Sequence, residues 1–466
     1  MALARTHRPV WRAEACLPCG ACTRRCPASV FGELAAEPES LRGRVAREVA
    51  FPAGEQRPAV PPCQAACPLG QDVPGYIAAL AAGDFDRALA VIQRSNPLPA
   101  VCGWLCRRAC MQACVRARLD FPVDIRGLKR AALQQAERRP AAAPRSRRDG
   151  ELVVVGGGPA GLACAAALRR IGWRVRLLEA AAEPGGLLRW AVPAFDLPRA
   201  ALRADIEAIA ASGVEIACGR RVDSAAALRE LLDGGARAVV LATGAGRATA
   251  LGIPGETLAG CSDGLSFARR WAEGAADERL RGPAVVAGSG AMAVAVARMA
   301  LRAGAAPVHL VMRRGRAEAA VDAEALRRAE AEGVAVLTDC QPVAAAGGER
   351  LEAVRIAPLV YGPPDAVGRR WPLAPAGERP QETLPAATFV AAADLRPQLD
   401  WLTDAGRGLV GPLGLLAVDG GSYRTRMAGV YAVGEVAAGA RNAVEVMAMA
   451  VRAAAAVDRD CRGGAA

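Results

Sequence analysis

Cysteine placement constrains this chain more than any other feature of its sequence. Ten of the 15 cysteines in the 466 residues precede residue 115. The first four, followed directly by Pro27, form the pattern C-x2-C-x2-C-x3-C-P: Cys16, Cys19, Cys22 and Cys26. This spacing is typical of [4Fe–4S] sites, because closely spaced thiolates on a tight loop reach three iron corners and the cysteine before proline usually serves a second cluster. The pattern therefore predicts a chain that carries electrons.

Six further cysteines are candidates for the remaining iron ligands. They are Cys63, Cys67, Cys102, Cys106, Cys110 and Cys114. Structural zinc is the nearest alternative, but it requires two separated Cys or Cys/His pairs, and His7 and His309 are the only histidines. The ten cysteines together therefore favour iron–sulfur clusters over zinc.

Composition narrows the functional class. The formal net charge of +12 is carried almost wholly by arginine, since Lys129 is the only lysine. No basic run is interleaved with aromatic residues, so we expect no nucleic-acid binding and assign the charge to anionic cofactors and an acidic redox partner. The sequence has no signal-peptide pattern and no uncharged run long enough for a membrane span. We therefore expect a cytoplasmic protein without disulfides.

The organisation of the chain changes near residue 150. Residues 1–138 are cysteine-rich, with a helical pattern over residues 76–95, and residues 139–150 have the composition of a linker. Short β-branched runs at 152–155, 175–178 and 239–241 then alternate with Ala-rich helical stretches, which is typical of a parallel α/β sheet. The same alternation restarts at 284–287 and 308–312. The sequence therefore predicts a cysteine domain followed by two dinucleotide-binding folds.

A glycine-rich loop follows the first of these strands. Gly156, Gly158 and Gly161 form G-x-G-x-x-G, with Pro159 and Ala160 between the last two glycines. The first glycine permits the tight turn, the second admits a pyrophosphate, and the third packs helix on strand. Glu179 ends the next predicted strand, where a carboxylate accepts ribose hydroxyls. This combination predicts a dinucleotide on the helix N-terminus.

A second loop has the pattern G-x-G-x-x-A, formed by Gly288, Gly290 and Ala293, with Ala291 directly after the second glycine. No acidic residue ends the strand that follows it; the residues there include Arg313, Arg314 and Arg316. Guanidinium groups bind a 2′-phosphate in charge-assisted, bidentate geometry, so the loop favours NADP(H) over NAD(H). The alternative is a solvated arginine cluster.

A third element lies near the C-terminus. A predicted strand over residues 430–433 leads into Gly434 and Glu435, and a helix is predicted to begin near Asn442. Glu435 is a candidate to accept from a ribityl or ribose hydroxyl. The helix N-terminus at Ala443 and Val444 is a candidate to face the flavin pyrimidine, where its dipole favours reduced, anionic flavin.

The chain resembles the small (β) subunit of NADPH-dependent glutamate synthase and its relatives, which include the N-terminal half of dihydropyrimidine dehydrogenase and NADPH:ferredoxin transhydrogenases. The resemblance covers about residues 60–460. It rests on CQAACPLGQDVPGYIAAL, NPLPAVCGWLCRRACMQACVRARLDFPVDIRGLKR, GGGPAGL, EPGGLLRWAVPAFDLP, LATGA, LGIPGE and GVYAVGEVAAG. It implies FAD in the first fold, NADPH in the second and [4Fe–4S] clusters in the N-terminal helical region. Further candidate FAD contacts lie in these motifs: Gly186, Leu187, Thr243 and Gly244.

Several residues depart from the pattern of the family. The C-x-x-C pair usual just before Cys63 is missing, and the complete run from Cys16 to Cys26 stands further upstream. Ala291 and Ala295 replace an Asn and an Asp of the second loop, and Glu435 replaces an Asp. Among these departures, the change in the second loop affects the predicted NADPH site most.

Ten thiolates satisfy two cubes with two left over, or three cubes with two ligands of another kind. We favour two clusters, and the family's use of incomplete cysteine sets leaves three open. One is predicted to be anchored by Cys16, Cys19 and Cys22. The other is predicted to be anchored by Cys67, Cys110 and Cys114. The remaining four cysteines compete for the open corners.

The predicted fold class is α/β, with an N-terminal α-helical iron–sulfur domain followed by two nested Rossmann-like domains. The predicted division is a ferredoxin-like cysteine segment at 1–50, a helical iron–sulfur domain at 51–138, an FAD-binding domain at 150–275 and 390–466, and an NADP-binding domain at 280–389.

The predicted function is an iron–sulfur flavoprotein oxidoreductase that passes electrons between NADPH, FAD and the clusters. Its partner is a large subunit or a ferredoxin-like protein, and the direction of flow is open. Hydride transfer requires positioning more than acid–base groups, so no general base is assigned. The alternative is an electron-relay subunit whose own nucleotide site is inactive.

Overall fold

The computed structural model describes residues 60–462 apart from 119, 138–147, 275–279, 320, 365–369, 371, 376–380 and 403–407. Four predicted iron ligands lie outside the described residues: Cys16, Cys19, Cys22 and Cys26. Most of the predicted linker does so too.

Short helices make up the described part of the cysteine region. They are α1 (Pro62–Ala65), α2 (Val73–Ala81), α3 (Phe85–Gln93), α4 (Pro99–Leu105), α5 (Ala109–Gln112), a 3-10 turn (Val115–Arg118) and α6 (Ile125–Gln135). The helical pattern predicted over residues 76–95 is divided between α2 and α3, because Gly83 has φ 74° and Asp84 caps a new helix by accepting from the Arg87 amide at 2.9 Å. Tyr76, Ile92 and Ile125 are buried where α2, α3 and α6 meet.

A parallel sheet of five strands forms the first nucleotide fold. Its elements are β1 (Glu151–Val155), α7 (Pro159–Ile171), β2 (Arg174–Leu178), α8 (Leu187–Trp190), α9 (Arg199–Ala211), β3 (Val214–Ala217), α10 (Ala225–Asp233), β4 (Ala236–Leu241) and β5 (Arg247–Ala248). After the second fold the chain returns with β15 (Leu395–Arg396), a 3-10 turn (Asp400–Leu402), β16 (Val430–Ala432), α14 (Glu435–Ala438) and α15 (Ala443–Arg462). The strand order is β16-β4-β1-β2-β3, and α15 packs along α7. The buried Val and Leu runs of β1 and β4 explain why these segments become central strands.

The second nucleotide fold has the same architecture, with an antiparallel addition. It contains β6 (Cys261–Asp263), α11 (Gly264–Ala272), β7 (Ala284–Ala287), α12 (Ala291–Arg302), β8 (Val308–Val311), α13 (Ala323–Glu332), β9 (Val334–Leu337), β10 (Cys340–Ala346), β11 (Ala353–Tyr361), β12 (Pro372–Pro375), β13 (Glu382–Pro385) and β14 (Thr388–Ala391). The parallel order is β6-β14-β7-β8-β9, while β10 to β13 pair antiparallel. The predicted α/β class with two nested Rossmann-like folds is confirmed.

The pairing of the strands indicates where the chain passes from one nucleotide fold to the other. β6 pairs with β14, and β14 pairs with β7, so both flanking strands belong to the second sheet. The predicted boundaries at 275 and 390 assign β6 to the first fold and cut across β14. We propose instead that the chain crosses between folds after β5 and before β15, which pair with each other antiparallel.

The two nucleotide folds are joined by a buried arginine. Arg298 on α12 is 4% exposed and binds Asp196 of the first fold and Glu332 at the end of α13, each at 2.7 Å. Its guanidinium also lies 4.6 Å from the ring centroid of Phe195. The more exposed Arg302 binds Glu332 at 2.8 Å, and its guanidinium also lies 4.2 Å from the ring centroid of Phe195, but it forms no ion pair with Asp196. Arg298 therefore connects the two folds directly.

Arg298→Met is expected to lower the free energy of unfolding by about 1–3 kcal/mol, because two partly buried carboxylates lose their partner. Arg302→Met is the matched control and should cost less than about 1 kcal/mol, since its guanidinium is more exposed. Urea denaturation followed by circular dichroism measures both. Equal losses in the two variants would contradict the assignment of Arg298 as the main link.

Within the described ranges, no helix combines the length and the apolar character that crossing a membrane requires.

Candidate functional site

The first glycine loop is packed as its spacing predicts. Gly156 has φ 108°, and a Cβ there would lie 2.4 Å from the carbonyl oxygen of Ala242. A Cβ on Gly161 would lie 1.8 Å from the carbonyl oxygen of Gly156. Both positions therefore require glycine for close contact between β1, β4 and α7.

The second glycine of the loop, unlike the first and the third, has no close contact where a side chain would be. Gly158 precedes α7 with φ −75° and ψ −177°, and the only atom within 4 Å of a Cβ there is Gly186 Cα, at 4.0 Å. The two loops are held together because the Gly185 amide donates to the Gly157 carbonyl at 2.8 Å. The two glycine backbones are close together, since a Cβ on Gly186 would lie 2.9 Å from Gly158 Cα. The space into which a Cβ of Gly158 would point is open, and it lies at a helix N-terminus, whose first-turn amides have no partner within the helix. Such a cradle fits a pyrophosphate.

Glu179 follows β2 and is held against the glycine loop. Its carboxylate accepts from the Gly157 amide at 2.6 Å and from the Ala181 amide at 2.7 Å. A carboxylate has about four acceptor positions, so two remain for ribose hydroxyls.

The C-terminal element meets the first loop directly. Gly434 has φ 78°, and a Cβ there would lie 2.7 Å from the Cβ of Ala160. Burial raises the pKa of the neighbouring Glu435, although the Arg441 amide donates to its carboxylate. Asn442 caps α15 by accepting from the amides of Val444 and Glu445 at 3.0 Å each.

Three further candidates lie on the same side of the first sheet. Thr243 and Gly244 follow β4 and the next residue, Ala242, which contacts the glycine loop, and Gly244 has φ 68°. Leu187 begins α8 directly after Gly186. Since parallel strands end at one edge, these residues and the first loop share that edge.

The second loop repeats the geometry of the first. Gly288 has φ 154°, and a Cβ there would lie 2.2 Å from the carbonyl oxygen of Ala392. Gly290 precedes α12 and has nothing within 4 Å of a Cβ, while Ala291 is exposed at the first helical position. The loop therefore keeps an open cradle despite the substitution at Ala291.

The arginines after β8 differ in their side-chain contacts. Arg316 forms an ion pair with Glu330, whereas the exposed Arg313 makes no side-chain ion pair in the described part of the chain. The loop that carries them is held by Tyr361, whose hydroxyl donates to Asp339 at 2.6 Å and accepts from the Gly315 amide at 2.8 Å. Sequence reasoning missed Tyr361, because it lies 46 residues from Gly315 along the chain. Arg313 and the half-buried Arg314 are the better candidates for a phosphate.

Four cysteines surround the buried ring of Tyr76. Burial raises the pKa of this phenol well above its usual value, and four nearby thiolates raise it further: Cys110, Cys67, Cys106 and Cys63. Burial likewise raises the pKa of the Cys110 thiol to about 12, with Cys106 adding to the effect. α1, which carries Cys63, packs against α5, which carries Cys110. These contacts gather cysteines from two distant parts of the sequence.

Cys102 lies apart from this group. It is 1% exposed, its thiol donates to Asn96 Oδ1 at 3.5 Å, and burial raises its pKa to about 12. Cys114 follows α5 and is partly buried. We therefore propose that Cys63, Cys67, Cys106 and Cys110 hold this cluster, in place of the predicted set of Cys67, Cys110 and Cys114, and that Cys102 takes no part in it.

The cysteine geometry suits a cluster better than a single ion. Among the residues that the structure describes, no three His, Cys, Asp or Glu side chains are close enough to hold one metal ion. A [4Fe–4S] cube takes each thiolate on a different iron, so its cysteines lie farther apart than the ligands of one ion. We propose the four cysteines near Tyr76 as the ligands of such a cluster.

Two family models match the chain. The model described as pyridine nucleotide-disulphide oxidoreductase matches residues 150–454, and the one described as dihydropyrimidine dehydrogenase domain II, 4Fe-4S cluster, matches residues 57–140. Together they cover both nucleotide folds and the described cysteines before residue 115.

Curated relatives include three oxidoreductase subunits. An NADP(+)-dependent formate dehydrogenase subunit beta from Moorella thermoacetica is 34% identical over 86% of this chain and 60% of its own length. An NADPH-Fe(3+) oxidoreductase subunit beta from Geobacter sulfurreducens is 34% identical over 72% and 49%. The NAD-dependent dihydropyrimidine dehydrogenase subunit PreT from Salmonella typhimurium is 30% identical over 62% and 70%. The chain thus spans about half to two thirds of the length of these proteins.

Among solved structures, Mycobacterium tuberculosis FprA in complex with NADPH matches with a TM-score of 0.57. It is 20% identical and is matched over 68% of this chain and 85% of its own. At this identity the match supports the fold alone.

Proposed function

We propose that this chain, which belongs to the pyridine nucleotide-disulphide oxidoreductase family, passes electrons between NADPH and a partner protein. FAD, NAD(P)H and a [4Fe–4S] cluster are the cofactors of the matched families. When bound, FAD exchanges an electron pair with a nicotinamide and single electrons with a cluster. NADPH as the coenzyme and the direction of flow belong to the proposal.

One observation carries this proposal: the helical region that contains the cysteines is bound to both nucleotide folds. Asp205 of the first fold accepts from the amides of Ala100 and Val101 in α4, at 3.1 and 2.8 Å. Arg108 lies between Cys106 and Cys110, and its guanidinium binds Asp322 at 2.8 Å and also Glu324 in the second fold. A cluster at these cysteines would therefore be fixed relative to both cradles, as electron passage requires.

We assign a role to each group of candidate residues. Gly158, with Pro159, Ala160, Gly186 and Leu187 around it, is proposed to hold the FAD pyrophosphate, and Glu179 a ribose. Thr243, Gly244, Gly434, Glu435, Ala443 and Val444 are proposed to position the rest of FAD. Gly288, Gly290 and Ala291 are proposed to hold the NADPH pyrophosphate. These roles require binding and orientation rather than a general base.

A partner protein and a reducing compartment complete the proposal. The relatives described above are named as subunits, which supports a protein acceptor or donor such as a large subunit or a ferredoxin-like protein. None of the 11 cysteines in the described part of the chain takes part in a disulfide. Free thiols in such number support the cytoplasm.

Anaerobic purification tests the cofactor content. We expect one FAD per chain and about eight irons, if two [4Fe–4S] clusters form. About twelve irons would indicate three clusters. A preparation that contains zinc alone and reconstitutes no cluster would contradict the iron–sulfur assignment.

Addition of NADPH to the same preparation tests the flow of electrons. Saturable bleaching of the flavin absorbance, followed by loss of cluster absorbance, is the expected result. A preparation with full FAD and iron that binds neither NADPH nor NADH would contradict the proposal and support the relay alternative.

A further inference from the structure

Lys129, the only lysine among 59 basic residues, lies inside the cysteine domain. It is 5% exposed on α6, and its ammonium donates to Gln71 Oε1 at 2.5 Å. Gln71 is 1% exposed and is itself fixed, because its amide donates to the Ile92 carbonyl at 3.2 Å. The ammonium is therefore held in one place by a buried neutral group.

A buried ammonium is costly unless an anion compensates it. In the described ranges, the Lys129 ammonium forms no ion pair, and Gln71 supplies an uncharged oxygen. The nearby Asp205 carboxylate accepts from the two amides that begin α4. The charge of Lys129 is thus not neutralised by contact with a described carboxylate.

The groups close to this ammonium are cysteines. Lys129 lies on the buried face of α6 with Ile125 and Ala132, and Cys63 and Cys110 pack against these two residues and Tyr76. Cys102 is protonated and bound to Asn96, whereas Cys110 belongs to the group around Tyr76. An anionic cluster held by the cysteines near Tyr76 would therefore supply the negative charge that compensates the Lys129 ammonium.

We propose that Lys129 is a positioning charge that raises the reduction potential of the cluster held by Cys63, Cys67, Cys106 and Cys110. The inference rests on the cluster site proposed above. One-electron reduction adds one negative charge to a [4Fe–4S] cluster, and no proton is required. A fixed cation nearby stabilises the reduced form more than the oxidised form, and burial keeps solvent and salt from screening it.

A redox titration followed by electron paramagnetic resonance tests this inference in the full-length flavoprotein. The relevant signal is identified as the one that Cys67→Ser removes. In Lys129→Met, the ratio of reduced to oxidised cluster at a fixed solution potential should fall at least tenfold, which is 59 mV for one electron. Arg87→Met is the matched control, since it removes an exposed cation from the same helical region and should leave the midpoint unchanged.

Two further variants separate charge from packing. Lys129→Arg keeps the charge and should retain most of the wild-type potential, while Lys129→Gln keeps a polar side chain without charge and should behave like Lys129→Met. Iron analysis accompanies each titration. A neutral variant with full iron and the midpoint of Arg87→Met would overturn the inference. Loss of iron in both neutral variants, with Lys129→Arg intact, would also overturn it, because Lys129 would then serve assembly.

Failure of this inference is distinguishable from failure of the proposed function. Unmodified protein without iron would contradict the cluster assignment itself. Unmodified protein with full iron, NADPH-dependent reduction and no effect of Lys129 would contradict only the role of this lysine.

Discussion

Gly158→Val is expected to give a folded protein that purifies without FAD. The backbone at Gly158 has φ −75° and ψ −177°, which valine adopts readily, and its Cβ would meet no atom closer than 4.0 Å. The valine methyl groups would instead occupy the open space beside the Gly158 backbone, where a pyrophosphate must approach. We expect FAD occupancy to fall at least about tenfold, which corresponds to about 1.4 kcal/mol.

Flavin absorbance and urea denaturation of the purified variant measure binding and stability separately. Gly161→Val is the matched control in the same loop, because its Cβ would lie 1.8 Å from the Gly156 carbonyl oxygen and should disrupt the fold. Stoichiometric FAD in a folded Gly158→Val protein would show that this cradle is not the FAD site.

The same glycine shows where sequence reasoning succeeds and where it fails. The strand, glycine loop and helix are local features, so the spacing of the glycines and the β-branched runs predicted them. The backbone conformation of Gly158 is ordinary, with φ −75°, and a Cβ there would meet no atom closer than 4.0 Å. Glycine is therefore expected at this position for the approach of a pyrophosphate, and the nearness of Gly186 is a tertiary contact that local sequence does not reveal.

Tertiary structure likewise determines which cysteines lie close together. The spacing predicted ligands but left four cysteines competing for open corners. Packing of α1 against α5 brings Cys63 close to Cys110, while Cys102 turns toward Asn96. The helical pattern over residues 76–95 is divided into two helices for a more local reason, namely the positive φ of Gly83 and the cap at Asp84.

Composition contains one signal that motif spacing does not use. Lys129 is the single lysine among the 59 Lys and Arg residues of the chain, and all the others are arginine. Lysine is a compact charge with three donors, whereas arginine is a larger planar group. The burial of Lys129 beside cysteines depends on the packing of α6, which composition alone does not give.

Replacing Arg313 and Arg314 with glutamine is expected to raise the dissociation constant for NADPH with much less effect on NADH. Charge-assisted hydrogen bonds to a phosphate contribute on the order of 1.5–3 kcal/mol each, so removing each one should weaken NADPH binding roughly tenfold or more. The exposed Arg313 has no ion-pair partner among the described residues, and Tyr361 fixes the loop through the Gly315 amide at 2.8 Å. A fixed loop lowers the cost of ordering these side chains on binding.

Arg316→Gln is the matched control for this prediction. Its guanidinium already binds Glu330, so its replacement should weaken NADPH binding less than the replacement of Arg313. Calorimetric titration of each variant with NADPH and NADH gives both constants. Equal weakening for the two coenzymes would mean that the arginines shape the loop without contacting the 2′-phosphate. An unmodified protein that prefers NADH would refute the specificity outright, because an open cradle at Gly290 binds pyrophosphate in either coenzyme and only the arginines distinguish them.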